Sequence, residues 1–254
     1  SQSKSFTCYL KSISMIVDLF IPCYIDQFQP ETGFNMVKVL DKVGCAVNYN
    51  VEQTCCGQPA FHSGNWDDCK EIGEKFIKEF LNERYIVTPS AVCAGFVKNQ
   101  YSELFHNTVL HNEYKQVQRN MYEFSDFLVN ILKISNLGAT LDGNAVFMPS
   151  CGAMRNYKLQ DEPLTLLKNV RGLQLLDLPN ADSCCGFGGG FTLKYENVST
   201  AIAQDKIDQI MGTGANYIIS TDYSCLMHLD GYIKKQGLPI KVMHLADVLA
   251  SGWD

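Results

Sequence analysis

The sequence has little positive charge and no long apolar run, and each absence excludes a class of protein. Its 254 residues include 21 Lys and Arg against 27 Asp and Glu, which leaves a formal charge of -6 at pH 7. Binding to nucleic acid or to an anionic membrane requires a basic surface, so we expect neither. The longest stretch without a charged residue, 53–66, is too short and too polar to span a bilayer, and no direct membrane span is predicted.

The sequence also shows no recognisable export signal. Asp18 interrupts the apolar residues 15–23, and no small-residue cleavage site follows them. We therefore expect a cytoplasmic protein, with partner proteins supplying any peripheral association with the membrane. Residues 1–14 precede the first strand-like segment and are interpreted as an upstream extension or an expression remnant. The remainder, in a chain with 46% hydrophobic residues, is long enough for one large domain or two small similar ones.

Cysteine is abundant, with eleven residues in the chain. An odd number without an export signal disfavours a disulfide framework and favours reduced or metal-bound thiols. Cys8, Cys45 and Cys69 are interpreted as buried or extension thiols. The other eight form two sets with similar spacing, C-x31-CC-x36-C and C-x32-CC-x39-C, which consist of Cys23, Cys55, Cys56 and Cys93, and then of Cys151, Cys184, Cys185 and Cys225.

The residues around the cysteines repeat as well. Phe20-Ile21-Pro22-Cys23 matches Phe147-Met148-Pro149-Ser150-Cys151 with one additional residue in the second copy. Thr54-Cys55-Cys56-Gly57 matches Ser183-Cys184-Cys185-Gly186. The chain is therefore an internal duplication.

Each half alternates strand-like with helix-like segments, which is the pattern of a parallel sheet with helical crossovers. We predict an α/β fold of two duplicated, Rossmann-like halves, the first over 15–112 and the second over 137–254. Residues 113–136 have helical apolar spacing and are predicted to form a connecting helix. Every repeated cysteine follows a strand, so each half should gather four thiols at the carboxyl edge of its sheet.

The adjacent cysteines favour a multi-iron cluster over a single ion. Successive side chains of an extended segment point to opposite sides, whereas neighbouring cysteines can ligate different irons of one cluster. Gly57 and Gly186 would let backbone N–H groups approach the sulfurs, and the glycine-rich run 186–190 is assigned to the same loop. Zinc in one or both halves is the alternative, although its cysteines usually come in pairs about two to four residues apart.

Histidine is a further candidate ligand. His228 follows Cys225 as C-x-x-H and is a candidate fifth ligand of the second site, whereas Phe96 occupies the matching place in the first half. Two other histidines and the cations near the sets could touch a cluster or an anionic ligand, but structural or solvated roles are the simpler interpretation. These residues are His62, His244, Arg155, Lys158 and Lys194.

The motifs resemble the cysteine-rich CCG domain family, seen in the B component of heterodisulfide reductase, the glycolate oxidase iron–sulfur subunit and, in particular, the A component of the bacterial lactate utilization system. The resemblance covers 15–250 and includes Cys55-Cys56-Gly57-Gln58-Pro59-Ala60 and Val242-Met243-His244. It implies an iron–sulfur electron-transfer subunit of a complex that oxidises L-lactate or a similar 2-hydroxy acid. A ferredoxin-like iron–sulfur subunit and a third subunit would be its partners. The eight repeated cysteines would then ligate one or two four-iron clusters.

Two departures from the family pattern bear on the cluster type. The heterodisulfide reductase proteins end each motif with C-x-x-C, where this chain has Phe96 and His228. The segment Met148-Pro149-Ser150-Cys151-Gly152 also replaces a His-Asp-Ser-Cys-His segment that is common in related proteins. Besides an oxidoreductase subunit that acts only with partners, a zinc-stabilised scaffold and a thiol/disulfide redox subunit stay open, as does an asymmetric protein with zinc in one half.

Overall fold

Short apolar segments form eight strands, which pair in two four-stranded parallel sheets in this computed structural model of residues 15–253. The first sheet has the order β2 (Cys45–Tyr49), β1 (Met15–Leu19), β3 (Ile86–Thr88) and β4 (Met121–Glu123). The second sheet repeats it with β6 (Arg171–Leu176), β5 (Thr140–Phe147), β7 (Tyr217–Ser220) and β8 (Lys241–His244). The predicted fold of two duplicated parallel-sheet halves is confirmed. The predicted extension 1–14, with Cys8, lies outside the described residues.

Helices fill the connections between the strands. Those of the first half are Cys23–Phe28, Pro30–Lys42, Gln58–His62, Trp66–Phe80, Ala91–Asn99, Tyr101–Phe105, His111–Asn120 and Phe124–Asp126, followed by a π-helical segment, Phe127–Ile131. Those of the second half are the π-helical Ala153–Tyr157 and the helices Glu162–Leu167, Gly190–Lys194, Glu196–Met211, Tyr223–Gln236 and Leu245–Leu249. Over 15–253, no helix combines the length and the apolar character needed to cross a bilayer.

The segment 113–136, for which the sequence predicts one connecting helix, contains a strand. The helix His111–Asn120 ends at β4, where Met121 pairs with Ile86 of β3, and the chain becomes helical again at Phe124. The prediction of a single helix is therefore wrong. Met121, Phe124 and Phe127 have the spacing of a helix, and a strand of three residues is too short to show the alternation that would reveal it. The strand β4 completes the first sheet as β8 completes the second.

The largest core cluster crosses the boundary between the halves, since it contains Leu128 of the first half and Leu249 of the second. One smaller cluster fills each half. Polar contacts cross the same boundary: the Asp247 carboxylate accepts hydrogen bonds from Thr32 Oγ1 and Asn35 Nδ2, each at 2.9 Å. The two halves are thus packed against each other, and helices of both, including Pro30–Lys42 and Leu245–Leu249, meet at the boundary.

Candidate metal centre

The strand ends deliver the repeated cysteines to the carboxyl edge of each sheet. One cysteine follows the first strand of each half, an adjacent pair follows the second, and one lies in the first turn of the helix after the third. The predicted cysteine site at the carboxyl edge of each sheet is confirmed. In chain order these residues are Cys23, Cys55, Cys56 and Cys93 in the first half, and Cys151, Cys184, Cys185 and Cys225 in the second.

The four thiols of the first set contact one another in a chain. Cys23 Sγ lies 3.8 Å from Cys55 Sγ, and the Cys56 thiol contacts both Cys55 and Cys93. Hydrogen bonds from Cys23 and Cys56 lower the pKa of Cys55 to about 3, whereas the same contacts and burial raise the pKa of Cys23 and of Cys56. Within this chain of contacts the negative charge is therefore favoured on Cys55, and the thiolate is the form of cysteine that binds metals.

The second set repeats this arrangement. Cys184 accepts hydrogen bonds from Cys151 and Cys185, which lower its pKa to about 2, and Cys185 also contacts Cys225. The contact with Cys184 and burial raise the pKa of Cys151, and Arg155 favours the charged form of both thiols. Each half thus has a thiolate at the first cysteine of its adjacent pair.

The turn after each adjacent pair needs glycine. Gly57 and Gly186 have the same left-handed φ of 93°, and their N–H groups donate to Cys55 Sγ at 3.4 Å and to Cys184 Sγ at 3.3 Å. A Cβ on Gly186 would lie 2.6 Å from the carbonyl oxygen of Ser199. The two turns direct backbone N–H groups at cysteine sulfurs, which stabilises thiolate charge.

Both sets open onto one cavity of about 620 Å³ between the halves. Cys23, Cys93, Cys151 and Cys225 are among its lining residues, together with 187–191 from the glycine-rich loop. A volume of this size lies within the range of small-molecule sites, roughly 300–1,000 Å³. Among the polar residues that the sequence singles out, the cavity wall includes His62, Arg155 and Lys194. Lys158 lies instead in a separate polar pocket with Tyr157 and Glu162.

His228 contacts the Gly186 turn indirectly, through Ser199. Its Nε2 lies 3.2 Å from Ser199 Oγ, which donates to the Gly186 carbonyl at 2.9 Å, and burial lowers the pKa of the imidazole. In the first half a Cβ on Gly57 would meet Cys69 Sγ at 3.2 Å, so a thiol occupies the place of Ser199. The two sites therefore differ in the groups behind their turns, polar in the second and apolar in the first.

His244 has the structural role that the sequence predicts. Its Nδ1 accepts a hydrogen bond from the Ala246 N–H at 3.1 Å, and its Nε2 lies 2.8 Å from the Pro89 carbonyl oxygen. The ring nitrogen that faces a carbonyl must carry the proton, so this is a neutral tautomer with both nitrogens engaged. The side chain caps the last helix and ties it to the first half.

Two buried charges beside the site are not predicted from the sequence. Lys206 is fully buried, and its Nζ donates to the Asn180 carbonyl at 2.9 Å, in the loop that precedes Cys184. Asp222 is 1% exposed and precedes Cys225 by three residues. The repeat could have predicted the burial of Lys206. When the helices Trp66–Phe80 and Glu196–Met211 are aligned at their first residues, Lys206 takes the position of Phe76, which is buried.

The donor set fits a thiolate-bound metal or cluster. Soft sulfur ligands select zinc and iron–sulfur clusters over hard cations. The Cys23–Cys55 separation of 3.8 Å is close to the edge of a tetrahedron whose metal–sulfur bonds are about 2.3 Å long. Within 15–253, however, no group of three Cys, His, Asp or Glu side chains is arranged to hold a metal ion. The arrangement is a pair of thiol-rich sites suited to soft metals.

Fold and site together define a duplicated cysteine-rich protein with one thiol set per copy. Residues 17–98 and 145–230 each match the cysteine-rich domain CCG, and the chain belongs to this family. It is 42% identical over 236 residues to lactate utilization protein A of Geobacillus kaustophilus, covering 92% of this chain and 98% of that protein. It is 40% identical to the Bacillus cereus G9842 protein of the same name, over 93% of this chain and 99% of the relative. The resemblance stated from the motifs is confirmed.

Among solved structures, the chain aligns with the glutamate racemase RacE1 from Bacillus anthracis. The TM-score is 0.36 at 11% sequence identity, with 94% of this chain and 79% of that chain covered. A likeness this weak carries no functional argument.

Proposed function

We propose that this chain is an iron–sulfur electron-transfer subunit of a complex that oxidises L-lactate or a similar 2-hydroxy acid. The observation that carries the proposal is the paired arrangement of thiols: two sets of four, each on three loops of one sheet edge, contribute to a common cavity. The names of the relatives supply the substrate class.

The ligands would be the eight repeated cysteines, four for each cluster. An iron–sulfur cluster supplies a one-electron carrier when it is bound. The thiolates of Cys55 and Cys184 offer a first ligand in each set, and the Gly57 and Gly186 N–H groups stabilise the sulfur charge. Hydrogen bonds to ligand sulfurs are among the factors that set the reduction potential of such centres. The adjacent pairs favour a cluster over a single zinc ion, as the sequence predicts.

The catalytic unit would require partner proteins. Oxidation of a 2-hydroxy acid to a 2-oxo acid releases two electrons and two protons, so a substrate-oxidising subunit must supply electrons to a one-electron relay. We propose a third subunit for that step and a ferredoxin-like iron–sulfur subunit as the carrier that exchanges electrons with this chain. Such a complex would work in the cytoplasm, at the membrane only through its partners.

Analysis of iron, zinc and acid-labile sulfide in anaerobically prepared protein tests this proposal. We expect about four or about eight irons per chain, with equal sulfide and visible absorption. Cys56→Ser and Cys185→Ser should each remove the iron of one half. Cys45→Ala, which changes a buried thiol outside both sets, should leave the iron content unchanged.

Zinc without sulfide would contradict the electron-transfer proposal and would indicate a zinc-stabilised scaffold. Loss of iron in only one of the two serine variants, with zinc retained in the other half, would identify asymmetric loading. Equal loss in both variants would exclude it.

A further inference from the structure

Asp222 is a buried carboxylate that the proposed electron transfer does not use. It lies between β7 and the helix Tyr223–Gln236, three residues before Cys225, and is 1% exposed. A residue at this position usually caps its helix, but the Asp222 side chain makes no capping hydrogen bond. Burial of a carboxylate is costly unless hydrogen-bond donors surround it, so its partners identify what it does.

Three donors come from two other cysteine-bearing segments, and the neighbouring Thr221 Oγ1 donates to Asp222 Oδ2 at 3.4 Å. Ser90 Oγ donates to Asp222 Oδ1 at 2.8 Å, and the Val92 N–H donates to the same oxygen at 3.0 Å. Ser150 Oγ donates to Oδ2. Ser90 precedes the helix Ala91–Asn99, whose first turn contains Val92 and Cys93, and Ser150 immediately precedes Cys151. One carboxylate thus joins three loops, of which two belong to the second half and one to the first.

Each serine hydroxyl also accepts a hydrogen bond from a backbone N–H group at or near a cysteine. Ser90 Oγ accepts a hydrogen bond from the Cys93 N–H at 3.2 Å. Ser150 Oγ accepts one from the Ala153 N–H at 2.9 Å, across the turn that contains Cys151. Because each hydroxyl donates to Asp222 and accepts from the backbone, the carboxylate fixes the orientation of both turns.

The duplication explains why a single residue can do this. Ser90 stands three residues before Cys93, as Asp222 stands three residues before Cys225. The equivalent residues of the two halves therefore face each other across the boundary, hydroxyl against carboxylate. Only the carboxylate has enough acceptor sites to take the three donors from the other two segments, and hydrogen bonds to a charged acceptor are the stronger kind.

We propose that Asp222 is a positioning residue that ties the Cys93 and Cys151 loops to the Cys225 loop, so that the two thiol sets hold one geometry across the shared cavity. The inference rests on the proposed function only for the effect of Asp222 on a bound cluster. The relation between the loops is a property of the polypeptide and is testable without metal.

Alkylation of the reduced, metal-free chain, with each cysteine followed by mass spectrometry, tests the proposal. Loss of a hydrogen bond to a charged group, about 1.5–3 kcal/mol, should increase local opening about tenfold or more. We expect Asp222→Ala to accelerate alkylation of Cys93 and Cys151 by that factor. Ser90→Ala should accelerate Cys93 alone, and Ser150→Ala should accelerate Cys151 alone.

The serine variants retain the carboxylate, so a faster reaction in them cannot come from removal of its charge. Asp247→Ala is the matched control, because Asp247 also accepts two hydrogen bonds across the boundary but from the helix Pro30–Lys42. It should leave the alkylation rates of Cys93 and Cys151 unchanged. Asp222→Asn, which preserves shape and leaves one acceptor oxygen, replaces Asp222→Ala if that variant does not fold.

Unchanged rates at Cys93 and Cys151 in the Asp222 variants would overturn the proposal. So would uniform acceleration that includes the buried Cys69, because it would indicate global loosening. In iron-loaded protein, Asp222→Asn should alter the electron paramagnetic resonance signal that remains in both the Cys56→Ser and the Cys185→Ser backgrounds. A wild-type chain that takes up no iron would refute the proposed function, and the alkylation pattern would still decide the role of Asp222.

Discussion

Gly186 combines a left-handed backbone angle with a crowded neighbourhood. In Gly186→Ala the added Cβ would stand 2.6 Å from the Ser199 carbonyl oxygen, so the turn or the helix behind it must shift. A left-handed conformation alone costs a residue with a Cβ about 1–2 kcal/mol. We expect Gly186→Ala to lower the free energy of unfolding by more than this and to reduce metal retention in the second half, as measured by denaturant unfolding and metal analysis.

Gly237 provides the matched control for that measurement. It also has a left-handed φ, of 64°, but nothing lies within 4 Å of an added Cβ. Gly237→Ala should therefore show the conformational cost alone and leave metal binding intact. If the two variants lost equal stability, the contact with Ser199 would relax without cost and the argument for a fixed turn would fail.

At the scale of one element, β4 ends in a carboxyl group that is fully buried. Glu123 Oε2 accepts hydrogen bonds from the backbone N–H groups of Ser125, at 2.8 Å, and Asp126, at 3.1 Å. Among the described residues, Glu123 Oε1 has no hydrogen-bond partner. Burial raises the pKa of Glu123 to about 8, and the nearby Asp222 acts in the same direction. The folded protein therefore favours the protonated form.

This pKa makes the stability depend on pH. The unfolded chain ionises Glu123 near pH 4.5, so its contribution is fully present below that pH and is lost as the pH rises to about 8. Glu123→Gln keeps a capping oxygen and cannot ionise. Over this range, its free energy of unfolding should fall less than that of the wild type, by a few kcal/mol in order of magnitude.

Denaturant unfolding at a series of pH values measures the effect as a difference between variant and wild type. Tyr157, Asp126 and Asp222 are the other ionisable side chains near Glu123, and all three remain in the variant. If the curve of Glu123→Gln ran parallel to that of the wild type, this carboxyl group would be ionised in the folded protein over the whole pH range.

The limits of sequence-based prediction are also clearest for single elements. Most strands precede a repeated cysteine and contain apolar residues, so the repeat and the local pattern agree on them. The strand β4 is not predicted, because its three residues lie within a segment whose apolar residues have helical spacing. The repeat holds the missing clue: Glu123 precedes Phe124 as His244 precedes Leu245, and each side chain caps the following helix.

The shared cavity could not be predicted because it depends on contacts between the halves. A Cβ on Gly95 would lie 2.8 Å from the Tyr157 backbone nitrogen, and one on Gly152 would lie 2.7 Å from a methyl group of Val92. These close approaches bring together helical segments that are about 60 residues apart, and local periodicity contains no information about them. The sequence predicts two thiol sets, and only the packing of the halves places both on one cavity.

At the scale of the whole molecule, the two tryptophans report on different parts of the structure. Trp66 stacks on Phe61 in the first half, with ring centroids 5.1 Å apart, and Trp253 packs beneath Lys42 Nζ, 3.8 Å from its ring centroid, at the boundary. Because the largest core cluster crosses that boundary, we expect one cooperative transition in the metal-free chain. The single-tryptophan variants Trp66→Phe and Trp253→Phe should give coincident fluorescence and circular dichroism midpoints.

Circular dichroism of each variant is the internal control, since it reports any loss of stability caused by the substitution itself. Fluorescence midpoints that separate from it, with Trp66 and Trp253 unfolding at different denaturant concentrations, would mean that each half folds as its own unit. With a single transition, the cavity that both thiol sets line forms in the same step as the core. A substitution that weakens the core of either half should then reduce metal binding at both sites, since neither set keeps its geometry once the boundary opens.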